Sequence, residues 1–126
     1  MPQGPPNDLD HRTFRFACDA YDYCEELVGL GGIAPRIGYQ LFDAASSVGA
    51  NREEAKSAYS RREFRSKNAI SLKESREASF WLRVAQAKCL GNAKRRGQLL
   101  DESNQLISIS QQPSGIFVDR APTSDL

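Results

Sequence analysis

Histidine is almost missing from this chain of 126 residues, with His11 alone near the start. A di-metal carboxylate centre in a helical bundle needs a Glu-x-x-His pair on each of two helices, so that chemistry is excluded and no metal or other cofactor is expected. No stretch approaches the roughly 18 consecutive apolar residues of a membrane span, and no membrane partner is expected. The opening MPQGPPND carries neither the basic nor the apolar segment of a secretory leader, which makes a cytoplasmic location the expectation. Cysteine is sparse and odd in number. Cys18, Cys24 and Cys89 match no zinc or redox spacing, so reduced, packed thiols are expected rather than disulfides. Asn-Gly and Asp-Gly turns are absent and no run alternates convincingly, which argues against hairpins and sheets. Gly29 to Gly32 follows a helical segment instead of a strand, so it is not a phosphate-binding loop, and no Ser, Cys or Asp nucleophile stands paired with a base. The chain is not expected to be an enzyme.

What is present is helical period. With 40% hydrophobic and 26% charged residues, the chain suits one domain with an adequate core. Residues 1–9 are rich in proline, and 111–126 are rich in Pro, Ser, Gly and Asp, so both are expected to be disordered tails flanking a bundle over 10–110. Asp10 is the expected N-cap of a first helix. Its apolar face is set by Phe14, Ala17, Cys18, Tyr21 and Val28 and widened by Phe16, Ala20, Tyr23 and Leu27. A second helix opens at Pro35 and carries Ile37, Leu41, Ala44, Ala45, Val48 and Ala55 as its stripe, ending near Ala58. Ser60-Arg61-Arg62-Glu63 forms a capping box for a third helix. From Phe64 the positions 68, 71, 75, 78, 82, 85 and 89 step by fours and threes, the repeat of a left-handed bundle seam, in a helix expected to reach Leu90. That seam is small and partly polar, which suits an interface as well as an internal contact. Asn92 is placed to cap a fourth helix with core positions Ala93, Leu99, Leu100, Leu106, Ile107 and Ile109. Short connections make an up-and-down antiparallel four-helix bundle, all-α, the simplest architecture.

Charge is distributed unevenly. Residues 1–45 hold seven acids against three bases, whereas residues 52–96 hold thirteen bases against five acids. Such asymmetry fits an anionic partner, or acidic and basic segments that face each other within or between subunits. The bases form two groups. Arg52, Lys56, Arg61, Arg62 and Arg65 surround the junction of helices 2 and 3, and Arg83, Lys88, Lys94, Arg95 and Arg96 surround the junction of helices 3 and 4. Arg61, Arg65, Arg83, Lys88, Lys94, Arg95 and Arg96 are the candidate contacts to RNA or DNA phosphates. Glu74 and Glu77 are expected to join an ion-pair network with Arg62, Arg76 or a neighbouring subunit in preference to ligating a metal. Asn51 is expected to hydrogen-bond Ser71 or Ser75 and fix register. Trp81 is assigned to core or subunit interface.

The stretch SSVGANREEAKSAYSRREFRSKNAISLKESREASFWLRV, Ser46 to Val84, resembles the central signature of the four-helix-bundle proteins first noticed as reading frames in intervening sequences of bacterial 23S ribosomal RNA genes. The resemblance is carried by Ala50, Asn51 and Glu54, then Arg62, Glu63 and Phe64, then Leu72, Glu74, Glu77, Trp81 and Leu82. It implies a homo-oligomer, commonly a pentameric ring or barrel. It also implies kinship with accessory proteins of diversity-generating retroelements, which bind nucleic acid and a reverse transcriptase. The expected function is therefore a non-enzymatic oligomeric scaffold or adaptor, with a nucleic-acid-binding accessory protein beside a reverse transcriptase as the alternative.

Overall fold

Each helix starts and stops where local backbone chemistry requires. The computed structural model describes residues 8–111, which form α1 (Asp8–Leu30), α2 (Ala34–Lys56), α3 (Arg61–Ala87) and α4 (Ala93–Gln111). Pro35 occupies the first turn of α2, where a missing N–H leaves no hydrogen bond unmade. Ser60 is extended, and its Oγ accepts the Glu63 amide at 3.1 Å, while Glu63 Oε1 reaches back to the Tyr59 amide. Asn92 Oδ1 accepts the Arg95 amide at 2.9 Å and caps α4 as expected.

Two boundaries differ from expectation. α1 begins at Asp8, so Asp10 lies inside its first turn instead of capping it, and Leu9 is buried. Asp10 is used between helices: it accepts from Arg52 Nε at 2.8 Å and from Lys56 Nζ at 3.3 Å, joining the start of α1 to the end of α2. α3 stops at Ala87, short of Leu90, because the chain turns left-handed. Leu90 N–H donates to Ala85 O at 2.9 Å and Cys89 N–H to Gln86 O at 3.1 Å, the Schellman pair, with Cys89 at φ 54° where glycine is usual. The remainder of the expected tails, 1–7 and 112–126, lies outside the described residues.

α1 packs on α2, α2 on α3 and α3 on α4, and α4 meets α1 more thinly, giving the expected antiparallel four-helix bundle. The α3–α4 turn is held against α1, where Tyr23 Oη donates to Leu90 O at 2.7 Å and Arg96 donates to the same carbonyl at 2.8 Å. Where α1 and α4 share little apolar contact, Arg12 clasps Glu102 through two hydrogen bonds of 2.9 and 2.8 Å. That pairing raises the Arg12 pKa despite partial desolvation.

The core reverses the expected division of α1. Its buried face is Leu9, Thr13, Phe16, Ala20, Tyr23, Cys24 and Leu27, whereas Phe14 (64%), Tyr21 (53%) and Val28 (36%) remain exposed. Both sets have helical period and each carries one Phe and one Tyr, so the pattern alone does not separate them. On α3 every seam position from Phe64 to Ala85 is buried as the period predicts, leaving out only Cys89. α4 contributes less than expected: Leu99 and Leu106 are buried beside Ser103 and Ser110, while Ala93 is exposed and Leu100, Ile107 and Ile109 are half-buried. Arg52, expected at a basic junction, is buried on its Asp10 partner.

The α3–α4 turn yields a paired prediction. Gly91 has φ 69° and a Cβ there would sit 3.0 Å from Tyr23 Cε1, so Gly91→Ala is expected to lower stability by about 1–2 kcal/mol. Cys89→Gly relieves the same backbone cost at the neighbouring position and is expected to raise stability by roughly 0.5–1 kcal/mol. Chemical denaturation of the two variants, read by helical circular dichroism, checks the opposite signs.

Candidate assembly and nucleic-acid surfaces

A bundle whose third helix presents Asn68, Ser71, Ser75, Ala78 and Ser79 inward lets its neighbours approach closely. Ser71 Oγ donates across to Val48 O of α2 at 2.7 Å, and Ser75 Oγ turns back to Ser71 O at 3.0 Å. The seam is thus consumed inside the protomer and is not open to a neighbour. Asn51 does not take part in it. Its amide donates to Ser47 O of its own helix at 2.9 Å, and the fully buried amide is that of Asn68, which has no partner among the described residues.

The other expected interface residues sit on the α2–α3 flank. Glu54 pairs with Lys67 at 2.6 Å and ties the two helices. Trp81 is half-buried against the core, donates from Nε1 to Glu77 at 3.1 Å and meets Phe80 edge-on at 5.1 Å. Neither Glu74 nor Glu77 forms an ion pair with Arg62 or Arg76 among the described residues, so the two arginines drop out as partners within the protomer. Both arginines point into solvent from the far side of α3. Partial burial pushes the Glu74 pKa up, and the nearby Glu77 and Asp43 charges add to the effect against an opposing pull from Lys73. No three His, Cys, Asp or Glu side chains converge on a metal position among the described residues. Of the cysteines only Cys24 is packed, its thiol pushed up to about 12 by burial, while Cys18 and Cys89 are exposed.

The candidate phosphate contacts separate on inspection. Arg96 is committed to Leu90 O, and Arg61 is half-buried with a partner. Arg95 lines a groove of about 480 Å³ between α1 and α4 in the mixed company of Arg12, Arg15, Asp19, Asp22 and Glu102. Lys88 and Lys94 are exposed at the α3–α4 turn. Arg65 and Arg83 belong to something longer. The outward face of α3 carries Arg62, Arg65, Lys73, Arg76, Phe80 and Arg83, all exposed, with Glu77 the one exposed acid at its edge. Arg83 lies over the Phe80 ring, 5.8 Å from its centroid. This ridge is the complement of the seam period on the same helix, and Lys73 and Arg76 were legible in it by the same threes and fours.

A second surface was hidden by assigning the aromatic stripe of α1 to the core. Along the outside of the α1–α2 contact run three shallow pockets of about 200, 300 and 200 Å³. Phe14, Cys18, Tyr21, Val28, Tyr39 and Phe42 are the large or reactive side chains that line them, and Tyr21 meets Phe42 edge-on at 5.8 Å. Gly38 lets α1 and α2 approach closely beneath the groove, because a Cβ there would stand 3.1 Å from Cys24 O and 3.2 Å from Leu27 Cβ. The ionisable groups that line it, Asp10, Asp22, Glu25 and Glu53, are all acids.

No protein-family model and no curated protein matches the sequence. The fold does have a solved counterpart. A crystal structure of a protein of unknown function from the S23 ribosomal protein family of Bacteroides thetaiotaomicron is similar, with a TM-score of 0.73 over 80% of this chain and 93% of that one. At 23% identity the likeness establishes the shared bundle.

Glu74 gives a pH prediction. A carboxyl whose folded pKa is raised favours the native state below its unfolded value, and that contribution is lost as pH rises through the folded one. Glu74→Gln is expected to melt slightly higher than the parent at pH 7 and to match it near pH 4, measured by calorimetry across that range.

Proposed function

We propose that this protein is a non-enzymatic subunit of a homo-oligomeric ring, working as a cytoplasmic scaffold or adaptor. The observation that carries this is the α1–α2 groove. Phe14, Tyr21 and Tyr39 are 64%, 53% and 60% exposed along a continuous apolar track, and contiguous apolar surface of that kind marks an interaction site. Trp81 and its neighbours, the Ser46 to Val84 signature and the S23-family bundle all support the same reading. On the signature we extend the proposal to kinship with the bundle proteins of 23S ribosomal RNA intervening sequences, for which a pentamer is the expected size. Native mass spectrometry at micromolar concentration is expected to return a multiple of the 14.0 kDa chain. A species of 14.0 kDa alone would overturn the proposal.

The α3 ridge favours a second role, binding of RNA or DNA by the assembled ring, in the manner of an accessory protein beside a reverse transcriptase. Several exposed cations around one aromatic side chain, outnumbering the single exposed acid Glu77 beside them, give sequence-tolerant and salt-sensitive contact to phosphates. Fluorescence anisotropy with labelled single strands is expected to show log K falling with log salt at a slope of roughly −2 to −4, for about three to five phosphates neutralised. Absence of binding at low salt would remove this role and leave the scaffold.

A further inference from the structure

The groove and the ridge are complementary, and on that basis we propose that the α1–α2 groove of one subunit receives the α3 ridge of the next, with Phe80 seated between Tyr21, Val28, Tyr39 and Phe42. The contact is head-to-tail, since it joins two different surfaces of the same chain, and it rests on the self-association proposed above.

Four observations meet in it. The first is shape. The groove's pocket between Tyr21, Val28, Tyr39 and Phe42 holds about 200 Å³, and a cavity of roughly 150 Å³ already admits a benzene ring. The second is charge. Carboxylates supply the charged lining of the groove, with Asp22 and Glu25 in its upper part, and bases dominate the ridge, with Arg76 and Arg83 one turn on either side of Phe80 and only Glu77 opposing them at its edge. Opposed fields of this kind select register and orientation. The third is preorganisation. Phe80 is 46% exposed yet held by Trp81 at 5.1 Å and by Arg83 at 5.8 Å, and Trp81 is itself fixed by Glu77. A side chain already placed loses little freedom on docking.

The fourth is height. The ends of α1 and α3 lie at the same end of the bundle, where Tyr23 meets Leu90. Phe80 stands seven residues before the end of α3, Tyr21 nine before the end of α1 and Phe42 eight after the start of α2, which at the standard rise places all three about 10–13 Å from that end. Ridge and groove also run nearly the same length, about 31 Å from Arg62 to Arg83 and about 27 Å from Asp10 to Val28. Surfaces at equal height are joined by rotation without translation, and a head-to-tail contact without translation closes into a ring where one with translation grows a filament.

The test uses two full-length variants changed only at exposed positions. The ridge variant carries Phe80→Ser with Arg83→Glu, and the groove variant carries Val28→Lys with Tyr39→Ser. Circular dichroism confirms that each is folded. Native mass spectrometry is expected to give the parent as an oligomer, each variant alone at 14.0 kDa, and an equimolar mixture as a one-to-one heterodimer, because each retains the surface the other has lost. A ridge variant that keeps the parent's mass overturns the inference while leaving self-association intact, as does a mixture that stays monomeric. A parent that is itself monomeric overturns both. A ridge variant that keeps its mass and loses RNA binding assigns the ridge to nucleic acid instead. As a measurement independent of variant folding, benzoylphenylalanine at position 80 of the otherwise unaltered chain is expected to cross-link to residues 14–28 or 38–50 of another copy. Its failure to do so would also overturn the contact.

Discussion

The small volume of the α3 seam governs the rest of this molecule. Asn68, Ser71, Ser75, Ala78, Ser79 and Ala85 fill the positions where larger apolar residues usually stand, so α3 can be covered only if its neighbours come close. Close approach is achieved without orphaned hydroxyls: Ser71 bonds across to Val48 O, and Ser75, Ser103 and Ser110 bond back along their own helices. Bulk is supplied from the opposite side by Phe16, Tyr23, Leu27 and Leu41. A core so built has no room for every aromatic residue in the chain. Phe14, Tyr21, Tyr39 and Phe80 are left outside, where they form the surfaces from which function is argued.

Polar contacts do the work at the margins that apolar packing does not reach. α1 and α4 touch thinly, and Arg12 with Glu102 closes that side. The start of α1 is fixed to the end of α2 by the partly buried Asp10–Arg52 pair, and the α3–α4 turn is pinned by Tyr23 and Arg96 converging on one carbonyl. Burial of Tyr23 raises its pKa, against the favourable influence of Arg96, which keeps the phenol a donor to Leu90 O. A bundle with these ties is rigid enough to present an aromatic knob and a shallow groove at fixed separation.

Much of this was legible before any coordinates. The capping box at Ser60 and Glu63, the Asn92 cap and the whole α3 seam follow from local hydrogen bonding and from a period that only one helical face satisfies. α1 was not legible in the same way. Its exposed stripe and its true core both repeat at i, i+3 and i+4 with one Phe and one Tyr apiece, so neither period nor aromatic content singles out the buried face. The seam period placed Asn68 inside, but the expected bond from Asn51 to α3 is not made, since only packing shows that the Asn51 amide turns back to its own helix.

The sequence by itself determined the four helices, their order, the caps of α3 and α4 and the segregation of charge, because these depend on groups within a few residues of one another. Tertiary structure decided which of two apolar faces on α1 is core, that Arg52 and Arg96 are spent on internal partners, and that Trp81 leans on the core while Phe80 stands outside it. Those outcomes depend on how closely two backbones can approach, and Gly38 and the small residues of α3 set that distance only once the helices are together.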